Sequence, residues 1–528
     1  MNGDDNVATA VEGGLGAIER LESEVRSYSR VWPAVFTRAR GHVLTDDDGT
    51  QYIDFFSAAG SLNYGHNHPD LKLALIELIA GDPVISSLDT ATPDRVEFLE
   101  TMESLIFAPR GLDYVVQFCG PTGTNAVEAA MKLARKVTGR FQVMSFTNAF
   151  HGLTLGALST TANSLYRDSA GVPLTGVTVM PFDGYLGPDV DTHAYLETFL
   201  DDPASGVDLP AAVIVETIQA EGGINVASTD WLRGLAELCD RHGIMLIVDD
   251  IQAGCGRTGS FFSFEDAGIV PDIVCLSKSI SGYGMPMALN LIKPEYDQWA
   301  PGEHMSTFQG FGPALVTATA ALNLFWSDEV LSEHVTGMGR HLTKVLESIR
   351  SSHRTIVSAV RGRGMIQGIE CVDPDDGARI ATEAFERGLI VETAGSRGQV
   401  VKILPPLVIG QETLDDGVEL LAEAIAAVAA RGPADAGRAA PDKAMTAPAP
   451  PKLEARTPKG SNGRPPTPAN GNGSGSAGSD AAKPSPTMTT KDGAPAGASA
   501  RPSTAEAELS GALAADRGAA GKTATETD

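Results

Sequence analysis

Four short runs of unbroken apolar residues, FQVMSF (141–146), AAVIVET (211–217), IMLIVDD (244–250) and DIVCLS (272–277), each stop at a polar or glycine-containing turn. Continuous rather than alternating apolar character belongs to strands covered on both faces, and helical stretches such as TNAVEAAMKLARKVTG (124–139) supply the crossovers between them. The pattern predicts an α/β fold with a large domain built on a mostly parallel sheet. In such sheets the chemistry collects at the carboxyl ends of the strands. A different rhythm follows over 320–430, where three helical patterns (330–350, 375–388 and 411–431) alternate with strand patterns at 364–370, 389–393 and 400–404. This predicts a smaller α+β domain, completed by the N-terminal stretch VFTRARGHVLTDDDGTQYIDFF (35–56), whose alternation and DDDG turn suggest a hairpin.

From Arg431 onward Ala, Pro, Gly, Ser and Thr dominate the last 98 residues, and Phe, Trp, Tyr, Cys, Val and Ile are absent. Such a segment buries too little to offset its ordering entropy and is expected to be disordered. It carries 12 Lys/Arg against 10 Asp/Glu, so of the chain's net charge of −27 the first 430 residues hold −29. An acidic folded part repels nucleic acid and anionic lipid surfaces, and neither is an expected partner. The five cysteines are scattered without a CxxC pair, which argues against a disulfide framework and a thiolate metal site and points to a reducing, cytoplasmic setting. No stretch approaches the roughly 20 apolar residues of a membrane helix. The expected division is a flexible N-terminus (1–17), a segment joining the small domain (18–65), the large domain (66–319), the small domain (320–430) and the tail (431–528).

Four features fall at predicted strand ends. Gly120-Pro121-Thr122-Gly123-Thr124-Asn125 precedes a helix, where backbone N–H groups and hydroxyls can hold a phosphate or merely cap. Phe150-His151 follows FQVMSF and offers an aromatic face beside an imidazole, or simple packing. Asp249 ends IMLIVD; a carboxylate there needs a cation such as a protonated ring nitrogen, or serves as a structural ion pair. Lys278 follows DIVCLS, and a lysine between an apolar strand and a glycine loop must lose its charge or find a partner, which suits amine chemistry with a carbonyl. Each feature alone is weak. Together they supply anion binding, ring stacking, ring-nitrogen pairing and a reactive amine, the four contacts that pyridoxal 5′-phosphate requires.

The segments IERLESEVRSY (18–28), YIDFFSAAGSLNYGHNHP (52–69), VQFCGPTGTNAVEAAMKLARKVTG (116–139), SFTNAFHGLTLGAL (145–158), VETIQAEGG (215–223) and FFSFEDAGIVPDIVCLSKSISGYGMPMAL (261–289) resemble the diaminobutyrate–2-oxoglutarate aminotransferase family of class III, fold-type I enzymes. The resemblance runs over about residues 20–428. It implies a seven-stranded sheet in the large domain, a homodimer or larger homo-oligomer, and transamination between L-glutamate and L-aspartate 4-semialdehyde giving L-2,4-diaminobutyrate and 2-oxoglutarate. By position it implies that Lys278 links to the cofactor and shuttles the proton, that Asp249 pairs with the ring nitrogen, that Gln252 meets the ring hydroxyl, and that Phe150 stacks on the ring with His151 nearby. Gly123 and Thr124 would hold the phosphate, with Thr307 reaching it from the neighbouring subunit. Glu216, Glu221 and Lys402 would face the substrate.

Two departures stand out. Lys402 occupies a place where many relatives carry an arginine, so a point charge replaces a bidentate fork. In FQGF (308–311) an arginine near Gln309 and an asparagine near Phe311 are missing, which leaves another ω-aminotransferase of the ornithine, acetylornithine or 4-aminobutyrate type, or an aminomutase, as alternatives. A non-catalytic scaffold working through its tail is a third reading, and the pathway served, ectoine, siderophore or antibiotic, is open.

Overall fold

The computed structural model describes residues 14–432. The expectations for 1–13 and for 433–528 lie outside the described residues. Residues 14–17, expected in a flexible N-terminus, open the helix Gly14–Leu21, none of whose residues is buried.

Near the N-terminus, β1 (Phe36–Arg40), β2 (Val43–Asp46) and β3 (Gln51–Asp54) form an antiparallel meander rather than a single hairpin. Two turns make it possible: Gly41 at φ +60° closes the first, and Asp46 closes the second by accepting the amides of Asp48 and Thr50 at 3.1 and 2.8 Å.

The large sheet contains β4 (Val115–Gly120), β5 (Val143–Phe146), β6 (Val177–Met180) and β7 (Ala212–Val215). A short pair follows, β8 (Ile218–Gln219) with β9 (Asn225–Val226), and then β10 (Met245–Asp249), β11 (Ile273–Leu276) and β12 (Ala288–Ile292) return to the large sheet. Its seven strands run in the order β4-β12-β11-β10-β7-β5-β6, and only β12 opposes the rest. β5, β7, β10, β11 and β12 are buried at every residue, as their unbroken apolar runs require. The helix Gly123–Thr138 lays Val127, Ala130, Met131 and Ala134 on one face of this sheet, while Phe146, Val215 and Val248 look into the core on the other.

The C-terminal part carries β13 (Val357–Arg363), β14 (Ile366–Cys371), β15 (Leu389–Ile390), β16 (Glu392–Ala394) and β17 (Val400–Ile403). Four of these form the antiparallel sheet β13-β14-β17-β16, whereas β15 leaves it to run parallel to β3. The apolar run LIVET is thus divided between two sheets, and its glutamate becomes a buried residue opening the edge strand β16. Buried Arg257 joins this region to the rest, donating to the carbonyls of Met365 (3.2 Å) and Pro405 and to the Asn63 side chain. Among the described residues no helix is long and apolar enough to cross a membrane.

Candidate active site

Five strand ends converge. β4 ends at Gly120 and hands the chain to the helix starting at Gly123; β5 leads to Phe150 and His151, β7 to Glu216, β10 stops at Asp249, and β11 is followed by Ser277 and Lys278. Because all five strands are mutually parallel, these residues gather on one edge of the sheet.

Asp249 is buried. Its Oδ2 lies 2.8 Å from His151 Nδ1 and its Oδ1 accepts the Ile251 amide at 3.2 Å. The proton on that bond therefore sits on Nδ1, and Nε2 of His151 is a buried nitrogen with no partner among the described residues. The His151 amide is held in turn by Thr161 Oγ1 at 3.0 Å.

Lys278 stands at φ +52°, a region costly for any residue with a Cβ. Its neighbours fix it there: Ser277 Oγ donates to Met287 O at 2.7 Å, and Ser279 Oγ donates to Gly60 O at 2.8 Å while accepting the Asn63 amide at 3.2 Å. Burial lowers the pKa of its amine, with Glu221 pulling the other way. Among the described residues it has no ion-pair partner, because Lys402 takes both nearby glutamates.

The remaining expected residues fall into place unevenly. Glu216 accepts the Phe150 amide at 2.9 Å, so it holds the loop after β5; burial and then the neighbouring Asp249 raise its pKa. Phe150 is half-buried with its ring edge-on to Tyr166, centroids 5.5 Å apart. Thr124 Oγ1 lies 2.7 Å from Thr154 Oγ1, and Thr154 donates onward to Glu128 at 2.6 Å. Gln252, expected on a ring hydroxyl, donates its amide nitrogen to Ala59 O (2.9 Å) and Glu221 (3.3 Å) and accepts from Lys402 at 3.4 Å. Thr307 is exposed and stands apart from the rest within this chain, although its neighbour Ser306 lies where a Cβ on Gly120 would meet it at 3.0 Å. Gln309 is buried and accepts the Ser306 amide at 3.1 Å, so this departure clamps its own loop, and it lines a small cavity with Gly120 and Met287.

Lys402 Nζ donates to Glu221 Oε1 at 2.6 Å and lies 2.9 Å from Glu392 Oε1. Glu392, which the sequence reading missed, accepts the Tyr28 hydroxyl at 3.2 Å. A signal was present: a charged residue inside each of two adjacent apolar runs, LIVET and VVKIL, places the two opposite one another in the β16–β17 register. Burial opposes ionisation of Glu221, but Lys402 and then Lys278 bring its pKa below the ordinary range, whereas burial leaves Glu392 above it.

The sequence pattern of the class-III aminotransferases matches residues 25–425. The chain belongs to that family. The diaminobutyrate–2-oxoglutarate transaminase of Bordetella parapertussis is 54% identical over 413 residues, which are 78% of this chain and 95% of the relative. A transaminase of the same name from Nocardia farcinica is 55% identical over 426 residues, 79% of this chain and 97% of the relative. Among solved structures, an ornithine aminotransferase of Toxoplasma gondii, described with partial occupancy of PLP at its active site, shares the fold with a TM-score of 0.69 at 27% identity, over 81% of this chain and 96% of that one. In this class-III aminotransferase the shared fold brings Asp249 and Lys278 to the ends of neighbouring strands, Asp249 pairing with Cys275 across β10 and β11.

Proposed function

We propose that this enzyme transfers an amino group between L-glutamate and L-aspartate 4-semialdehyde, giving L-2,4-diaminobutyrate and 2-oxoglutarate, with pyridoxal 5′-phosphate as cofactor. One observation carries the reading: a chain more than half identical to transaminases of that name keeps, on one sheet edge, a histidine-backed aspartate and an amine that has no ion pair among the described residues. When bound, the cofactor supplies an electron sink for the carbanion that transamination generates.

The residues fit that group. Asp249, anchored by His151 and the Ile251 amide, presents a fixed negative charge for a protonated ring nitrogen. The backbone at Gly123 is close-packed, since a Cβ there would lie 2.8 Å from the tip of the Ile251 side chain, and glycine leaves the helix start open to a phosphate, with Thr124 beside it. Phe150 lies on the loop that Glu216 holds and is placed to cover a ring face. Lys278, its amine favoured in the neutral form by burial, serves as the attachment point and then moves a proton at the substrate carbon.

The same reading takes the enzyme as a homodimer in which Thr307 of one chain completes the phosphate site of the other. It places the enzyme in the cytoplasm, a setting supported by five buried, unpaired cysteines.

The test is an absorbance scan of the cofactor-loaded enzyme on adding L-2,4-diaminobutyrate and then 2-oxoglutarate, with glutamate assayed. The cofactor band should change with the first and return with the second as glutamate appears, and Lys278→Ala should lose turnover while keeping its melting profile. A band that ignores diaminobutyrate removes the substrate assignment; multiple turnovers by Lys278→Ala remove the mechanism.

A further inference from the structure

The reaction proposed above sets one pocket two incompatible tasks, and the inference that follows rests on that reading. Diaminobutyrate reacts at a terminal CH2, whereas glutamate reacts at a carbon that bears a carboxylate. A buried cation beside the reacting carbon must be neutralised for the first substrate and available to the second.

We take Lys402 to be that cation, since it shares Glu221 and Glu392 beside the Lys278 amine on which its charge acts. Its side chain is 0% exposed and it is shared by two carboxylates that differ in how they are held. Glu221 lies in the turn between β8 and β9, its side chain is 26% exposed, and its side-chain contacts beyond Lys402 come from Gln252 at 3.3 Å. Glu392 sits within β16, directly across from Lys402 in the ladder, its side chain 5% exposed and its other oxygen taken by Tyr28. One carboxylate is part-exposed and sits in a turn; the other is fixed by main-chain pairing.

We propose that Glu392 is a positioning residue, which holds the Lys402 ammonium in place while Glu221 gives way to the carboxylate of an α-amino acid substrate. A lysine needs such a partner more than an arginine does. Its ammonium is a point charge on a flexible four-carbon stem, and with a single carboxylate partner it follows that partner when the partner moves. With Glu392 opposite, release of Glu221 leaves the buried ammonium neither unpaired nor displaced. Tyr28 completes the anchor: its hydroxyl, kept protonated by burial and by the charge of Glu392, fixes the carboxylate from the side away from Lys402.

The experiment measures kcat and KM separately for each half-reaction in cofactor-loaded wild type, Glu392→Gln, Glu392→Asp and Tyr28→Phe. Glu392→Gln should lower kcat/KM for glutamate by roughly tenfold, the size of one charge-assisted contact, while the value for the terminal amine stays within about twofold. Tyr28→Phe should shift the same ratio in the same direction by less, and Glu392→Asp should recover part of it. Equal losses for both substrates would reduce Glu392 to a structural role, and an unchanged ratio would overturn the proposal. If Glu392→Gln does not fold, Tyr28→Phe decides, since that residue is 46% exposed and leaves the core untouched. Should wild type refuse diaminobutyrate, the functional reading fails on its own, and the ratio of glutamate to whichever terminal amine the enzyme does accept, ornithine or 4-aminobutyrate, still tests Glu392.

Discussion

Asp250 follows Asp249 directly, yet the two carboxylates live in different surroundings. Asp250 is fully buried and accepts the Ser263 hydroxyl and the Ser263 amide (3.1 Å), and the same hydroxyl lies 2.5 Å from Thr217 Oγ1. Burial pushes its pKa up to about 7 against those two hydrogen bonds. A carboxyl raised from 3.8 binds its proton more tightly in the folded state, so its contribution to stability is complete below about 3.8 and is lost as pH rises through about 7. Asp250→Asn should therefore gain melting temperature over wild type at pH 8 relative to pH 5 by about 2 °C; melts at both pH values that differ equally would refute it. Asp249 and Lys278 were legible in sequence because each ends an apolar run, where a charge has no ordinary reason to be. Gln252 and Glu392 were less so: what each does depends on a partner more than a hundred residues away or on a strand register, and neither is written locally.

Among elements, the start of the helix Gly123–Thr138 depends most on its surroundings. Thr122 and Asn125 form a capping box that satisfies the first amides, leaving Gly123 and Thr124 at the open end. The loop after β5 presses on this corner. Gly152 sits at φ +125°, and a Cβ there would lie 2.6 Å from Thr124 Oγ1. Gly152→Ala would combine a disfavoured backbone with a clash, costing on the order of 2 kcal/mol, and would push Thr124 out of line. Denaturant titration should show the loss, and dialysed protein should retain less cofactor than wild type. Retention equal to wild type would separate this corner from phosphate binding. The helix was readable from its apolar spacing, whereas the bond between Thr124 and Thr154 was not, since it joins the first turn of this helix to the loop after β5, which only the parallel sheet brings together.

At the scale of the molecule, the α/β class and the mostly parallel sheet were legible because five strands are buried along their whole length and their sequences show it. The N-terminal meander was read only as a hairpin, because its DDDG turn between β2 and β3 is explicit in the sequence whereas the turn that separates β1 from β2 is marked by Gly41 alone. One further surface feature bears on assembly. The helix Pro69–Ala80 exposes Leu73, Ile76 and Ile79, the loop after it exposes Val84, Ile85 and Leu88, and Met305 and Phe308 lie on the segment that the Ile85 and Gly310 carbonyls tie to that loop. So much apolar area on one side of a chain marks a covered surface, and Thr307 stands within it. The second copy of the chain proposed above is the occupant that would also account for Thr307, which makes no hydrogen bond among the described residues. Replacing Ile76 and Ile79 together by Asp should convert the proposed dimer to a monomer in sedimentation, and the monomer should lose cofactor on dialysis even though Lys278, Asp249 and His151 are intact. A double variant that stays dimeric would move the interface elsewhere; a monomer that keeps its cofactor as tightly as wild type would show that each chain closes its own phosphate site.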